Sequence, residues 1–208
     1  MSVTTLIAAV RRRTGLSSSD AFAADADITE LLNEVASSIA AERDWPWLET
    51  SATLSTSAGT ATYSPPADWM RTRSLQIPGY QPLDGKNSRA QLDEWMPTST
   101  STGMPVHWTV SGDLIRLYPT PDAVYAISHV YYRTETTLDD GADNPLMPAW
   151  AQGALIWGAA AILFARTNQE ARAGEAQKRA DAWLRRLGDN ARRSAGGGRV
   201  QVRPGSPV

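Results

Sequence analysis

The chain has 208 residues, 42% hydrophobic and 20% charged, which is enough for one large domain or two small ones around a proper apolar core. It contains no cysteine, so disulfides and thiolate metal sites are excluded, and the composition fits assembly in a reducing cytoplasm. The net charge of −2 is unevenly spread: up to Ala165 there are ten Lys/Arg against eighteen Asp/Glu, and from Arg166 onward ten against four, so the two ends suit different partners.

The opening, MSVTTLIAAVRRRTGL, places its apolar residues before its arginines, the reverse of a secretory signal, and none is expected. Residues 150–165 are the longest apolar stretch and fall short of the roughly 20 needed to cross a bilayer, so no membrane span is expected either. A helix is predicted over Val3–Thr14, ending at Gly15, and a second over residues 28–43. Asp27 and Glu30 have the spacing of a capping box at its start. Ile28, Leu31, Leu32, Val35 and Ile39 recur at helical spacing and give it one apolar face. The helix stops in Asp44-Trp45-Pro46-Trp47-Leu48, because Pro46 disfavours helix at the residue before it.

From residue 49 to 137 the texture changes to Thr, Ser, Val, Tyr and Trp punctuated by Pro and Gly, which reads as short strands. Residues 51–56 and 60–64 are expected to form a hairpin turning at Ser57-Ala58-Gly59. A strand follows over 73–77, a short helix over 88–95, and a flexible Ser/Thr loop over 98–102. Val106, Trp108 and Val110 alternate with polar neighbours, Ser111-Gly112-Asp113 turns the chain, and residues 114–118 return. Residues 124–133 make a longer strand.

Helical periodicity then resumes. Pro148 suits the first turn of a helix over 149–166, and Thr167 with Glu170 forms a second capping box opening the last helix. In that helix Ala176, Ala180, Trp183, Leu184 and Leu187 share a face, while Arg172, Lys178, Arg179, Arg185 and Arg186 lie largely elsewhere. The tight connection makes the two helices an antiparallel hairpin. Ser194-Ala195-Gly196-Gly197-Gly198 reads as a hinge before a basic tail, Arg199-Val200-Gln201-Val202-Arg203-Pro204. The fold class is therefore α+β: a helical bundle from residues 1–48 and 138–193, an inserted antiparallel β domain over 49–137, and an extended tail over 194–208.

Catalytic constellations are hard to assemble from these residues. There is neither a Gly-x-Ser-x-Gly elbow nor a cysteine nucleophile, and Gly196-Gly197-Gly198 lacks the strand and the Lys-Ser/Thr pair of a phosphate loop. His107 and His129 sit in predicted strands outside any ligand spacing, and a packed or solvent-facing role suits them better than a metal. Asp139-Asp140-Gly141-Ala142-Asp143-Asn144 departs from a calcium loop and reads as a polar loop capping the next helix, while Asp20, Asp25 and Asp27 read as loop and cap residues. Asp93 and Glu94, beside Trp95, are neighbours in sequence and so cannot face each other across a glycosidic bond. The reading is of a non-enzyme needing no cofactor or metal. Eight tryptophans scattered over helices and strands suit core and interface together.

The order of features resembles a known family. Leu31-Leu32-Asn33-Glu34 leads to Arg43-Asp44-Trp45-Pro46-Trp47, followed by Pro65-Pro66-Ala67-Asp68-Trp69-Met70-Arg71 and Gly103-Met104-Pro105. Then come Leu117-Tyr118-Pro119-Thr120-Pro121, Tyr131-Tyr132-Arg133 and Leu146-Met147-Pro148-Ala149-Trp150. In this order they resemble the head-to-tail adaptors (connectors) of tailed bacteriophages, including the tail tubular protein A type, along nearly the whole chain.

The resemblance implies a structural virion protein in the neck, made in the host cytoplasm, which forms a dodecameric ring under the portal protein. It would meet downstream tail or neck proteins and pass double-stranded DNA through its channel without reading sequence. By position, portal binding would fall to Arg192, Arg193, Arg199, Val200, Gln201, Val202 and Arg203. The charge asymmetry adds Arg172, Lys178, Arg179, Arg185 and Arg186 as residues for a DNA channel or a subunit interface, the plain alternative being a basic helix that only faces water. Two readings from other classes are a carbohydrate- or cell-wall-binding module using the tryptophans, and a phage-tail peptidoglycan hydrolase using Glu94 as its acid.

Overall fold

A computed structural model describes residues 1–20, 22–86, 90, 101–139 and 141–195, the side chains of 192–195 excepted. The chain divides into two compact units, one made of Met1–Trp47 and Glu135–Val208, the other of Leu48–Thr134. The described residues hold four helices and antiparallel sheets, an α+β fold as the residue patterns predict.

In the first unit α1 spans Val3–Thr14, α2 Asp25–Glu42, α3 Gly153–Arg166 and α4 Glu170–Ala195. Helix α3 is the centre: α1, α2 and α4 all pack on it, and it buries Ala154, Leu155, Ile156, Ala159, Ala160, Ala161, Leu163 and Phe164. A helix apolar almost all round can only be a core helix, and its small residues let neighbours come close. Gly158 shows why, since a Cβ there would lie 2.7 Å from Val35 of α2. The stripe on α2 buries Ile28, Leu31, Leu32 and Ile39 as expected, with Val35 half-buried. Each such fully buried side chain contributes about 1.5–3 kcal/mol.

Several helix ends are made differently from the sequence expectation. Helix α2 begins at Asp25 after Ala24, with no side-chain cap. Asp27 and Glu30 therefore form no capping box; Asp25 and Asp27 lie in the first turn, where carboxylates are favoured by the helix dipole. Helix α3 begins at Gly153 rather than near Ala149. Residues 148–152 form turns instead, with Ala151 N donating to Pro148 O and Ala154 N to Ala151 O. Buried Gln152 ties this turn down by donating to Met147 O at 3.0 Å. Thr167 does not cap α4: its hydroxyl donates to Leu163 O and Phe164 O, closing the end of α3, because Asn168 adopts a left-handed φ of 57° that turns the chain before α4 starts. Helix α4 runs through Ser194 and Ala195, so the helix continues into the first two residues of the expected hinge.

The loop before α3 serves an unexpected helix. Val3 N donates to Asp143 O and Thr4 N to Gly141 O, so the polar loop holds the open N-terminus of α1 and not the helix that follows it. At the other end of α1, Gly15 takes φ 74° and donates to Arg11 O, the turn that glycine tolerates best.

The second unit holds β1 (Glu49–Ser55), β2 (Thr62–Tyr63), β3 (Trp69–Gln76), β4 (Asp84–Gly85), β5 (His107–Ser111), β6 (Leu114–Tyr118) and β7 (Ala126–Arg133). They form two sheets, ordered β1-β7-β3 and β2-β6-β5-β4. All pairs are antiparallel except β4 with β5. Leu75 and Ile127 from one sheet and Ile115 and Leu117 from the other share one core cluster, with Trp108 packed against it.

The β5–β6 hairpin matches its prediction, and both Gly112 (φ 58°) and Asp113 (φ 59°) take the positive φ that a two-residue hairpin turn needs. On β5, however, the fully buried side chain is Thr109, while Val106 before the strand is exposed. The expected hairpin of residues 51–56 with 60–64 does not form. Ser57–Thr60 does turn, held by Tyr63, whose hydroxyl donates to Thr60 O at 2.6 Å. But β1 pairs with β7 from Glu49↔Tyr132 to Ser55↔Ala126, and β2 pairs with β6 in the other sheet. The ladder to β7 continues past the strand through Thr56 N to Tyr125 O, so the chain crosses between sheets here instead of folding back. The short helix expected over 88–95 lies outside the described residues save for residue 90.

Candidate functional site

The residues proposed for a channel or interface all lie on α4, and all five, Arg172, Lys178, Arg179, Arg185 and Arg186, are exposed. They form two rows. Arg172, Arg179 and Arg186 are seven residues apart, two helical turns with a drift of only about 20° per step, so they line one flank of the helix. Lys178 and Arg185 make a second row on the side away from the buried Ala176, Ala180 and Leu187.

The first row rests on aromatic rings. The Arg172 guanidinium lies 6.0 Å from the Phe164 ring, Arg179 4.5 Å from Trp157, and Arg186 6.0 Å from Trp183. Arg172 also donates to Gln169 Oε1 at 2.8 Å. Lys178, in the second row, is instead bonded to Glu175 at 3.3 Å. A guanidinium over a ring face keeps its edge donors available, so the first row is held in place yet still able to bind carboxylate or phosphate oxygens.

Two further arginines, not legible as site residues from spacing alone, join this flank. Arg13, in the last turn of α1, lies over the same Trp157 ring at 5.1 Å. Arg12, beside it, helps line a cleft of about 560 Å³ between α1, α3 and α4 together with Arg13, Arg172 and Arg179. Partial burial, and after it the neighbouring Arg12 charge, pulls Arg13 below the ordinary arginine value. Opposite charge brought to this cleft would offset the repulsion from Arg12. The available signal in the sequence was the run Arg11-Arg12-Arg13 at a helix end, where it also suits the helix dipole.

The remaining candidates are scattered. Arg192 and Arg193 continue α4, but their side chains, and all of Arg199, Val200, Gln201, Val202 and Arg203, lie outside the described residues. So do Asp93, Glu94 and Trp95. His107 and His129 lie in different sheets, on β5 and β7. His129 is buried, accepts or shares a hydrogen bond with Thr72 Oγ1 at 3.0 Å, and burial pulls its pKa down to about 4. Asp20 accepts from Ser17 N and Oγ, and Asp25 pairs with Arg11 at 2.7 Å. Among the described residues no group of three or more His, Asp or Glu is placed to hold a metal, and no helix is long and apolar enough to cross a membrane.

The tryptophans divide between packing and surface. Trp45 is fully buried, stacks on Trp47 at 4.5 Å and donates to Ile39 O. In the β unit Trp69 donates to Thr72 Oγ1 and Trp108 to Leu83 O, so both indole N–H groups serve the fold. Trp150 is 54% exposed, on the rim of an apolar cleft of about 520 Å³ with Trp47 and Leu187.

The family model described as SU10 adaptor protein matches residues 1–204, while no curated protein matches the chain. The phage-adaptor resemblance is thereby borne out at the level of the family. Its finer likeness to the tail tubular protein A type is not part of that match. The chain belongs to the SU10 adaptor protein family and is a phage structural adaptor.

Proposed function

We propose that this protein forms a ring that docks beneath the portal, connects the capsid to the tail and lines part of the channel through which the genome passes. The observation that carries this reading is the exposed basic helix α4, whose two rows of cations run toward the C-terminal tail, in a chain whose match to an adaptor family covers residues 1–204. A cyclic head-to-tail contact closes into a ring with an axial channel, and cations on its wall would hold DNA phosphates without reading bases. Lys178 and Arg185, on the outer row, suit that wall; Arg172, Arg179 and Arg186 suit a subunit interface. The twelve-subunit stoichiometry and the tail tubular protein A likeness belong to the same proposal, as do downstream tail proteins as the lower partner.

The tail is assigned to the portal. Val200 and Val202 alternate with Arg199, Gln201 and Arg203, a pattern able to add a strand to a sheet edge or lie in an acidic groove. Arg192 and Arg193 would extend that contact along the last turns of α4. The test is electron microscopy of the chain alone and mixed with its phage's portal, with a second sample lacking residues 196–208. Rings stacked on the portal are expected for the full chain, and for the truncated chain an unchanged melting temperature with attachment lost or strongly weakened. A full chain that forms no ring alone or on the portal would overturn the ring, and a truncated chain that binds portal as tightly as the full one would overturn the tail's role.

A further inference from the structure

The helical unit is charged oppositely on its two sides. On one side of α4 lies the cleft already described, with Arg12, Arg13, Arg172 and Arg179 around Trp157. On the other side a smaller groove of about 180 Å³ lies between α2, α3 and α4, and its lining includes Glu34 of α2 and Gln177 of α4. Glu30 lies one turn before Glu34 on the exposed side of α2, and Asp181, which accepts from Gln177 Nε2 at 2.9 Å, adds a carboxylate on α4. Basic and acidic flanks thus border opposite sides of one helix in one unit.

We propose that the acidic flank of one copy, centred on Glu30 and Glu34, docks into the basic aromatic cleft of the next copy, centred on Arg172 and Arg179. This rests on the ring reading above and names its subunit contact. The shape of this cleft favours a carboxylate-bearing protein over nucleic acid. It is concave and of side-chain size, whereas a duplex presents a convex surface. Arg179 is laid against the Trp157 ring, which holds its fork in a fixed position from which it can pair bidentately with a carboxylate. Because the two flanks are different surfaces, the contact is heterologous and propagates from copy to copy until it closes.

The test uses two full-length charge-reversed variants: Arg172→Glu with Arg179→Glu, and Glu30→Arg with Glu34→Arg. All four positions are exposed, and circular dichroism melts check that each variant folds. Self-association is followed by sedimentation velocity and native mass spectrometry, alone and with portal, against wild type. Each variant by itself is expected to associate at least about tenfold more weakly, since like charges then face each other. Mixed together, they are expected to co-assemble in equal numbers, because the acidic cleft of one now meets the basic flank of the other. Wild type that stays monomeric in every mixture would overturn the ring reading itself. Wild type that assembles, with variants that assemble as well or that fail to rescue each other, would overturn only this contact. Loss of affinity for a 30-base-pair duplex by the arginine variant, with assembly unchanged, would also overturn it and turn the cleft toward DNA.

Discussion

Arg13 of α1 and Arg179 of α4 lie over the same indole ring, that of Trp157 on α3, at 5.1 and 4.5 Å. One residue of the central helix thus fixes cations from a helix at each end of the chain. Trp157→Leu keeps an apolar side chain but removes the ring's charge distribution, and is expected to lower unfolding stability by about 1–2 kcal/mol. A double-mutant cycle of Trp157→Leu with Arg179→Ala, measured by urea denaturation, is expected to give a coupling of about 0.5–1 kcal/mol. A coupling indistinguishable from zero would mean that the guanidinium only passes over the ring.

Two helical glycines should respond in opposite directions to the same change. Gly158 lies against α2, where an added methyl would meet Val35 at 2.7 Å, whereas Gly174 has nothing within 4 Å. Gly174→Ala is expected to stabilise by about 0.5–1 kcal/mol through helix propensity and reduced unfolded-state freedom. Gly158→Ala gains the same propensity but forces the α2–α3 packing apart, for a net loss of about 1–2 kcal/mol. Thermal melts of the two variants decide it, and a stabilising Gly158→Ala contradicts the close approach.

Asn33 joins α2 to the segment before α3 through a two-way bond. Its Nδ2 donates to Leu138 O at 3.0 Å, and its Oδ1 accepts from Leu138 N at 2.8 Å. Leu138 is buried, so Asn33→Leu leaves two backbone groups without partners. The expected loss is about 2–3 kcal/mol, read as a shift in denaturation midpoint. Asn33→Asp retains only the acceptor and should fall between; equal stability of all three proteins would show that water replaces the amide freely.

The β unit should weaken in mild acid because of His129. Burial lowers its folded pKa from 6.5 to about 4, so protons bind more readily to the unfolded chain. The stability held by the neutral ring is complete above about pH 6.5, drains as pH falls from there to about 4, and totals about 3 kcal/mol. Denaturation midpoints at several pH values should show this slope, and His129→Gln should flatten it in that window. An unchanged slope in the variant assigns the acid sensitivity to other groups.

Local chemistry made part of this protein legible in the sequence. The end of α1 at Gly15 and the β5–β6 turn at Gly112-Asp113 follow from backbone conformations that few residues accept. The apolar face of α2 follows from helical spacing, and so does the exposure of the α4 cations. The phage-adaptor resemblance, too, lay in short motifs spread over the chain. Tertiary structure alone decided which partner each group met. Strand β1 pairs with β7 rather than with its neighbour β2, the Gly141–Asp143 loop holds α1, and Thr167 closes α3 instead of opening α4. In each case several partners satisfied the local rules, and packing selected among them. The basic cleft needed the same selection. Arg12 and Arg13 come from the first helix, Trp157 from the third and Arg172 and Arg179 from the fourth, and no spacing in sequence records that α1 and α4 lie beside the same face of α3.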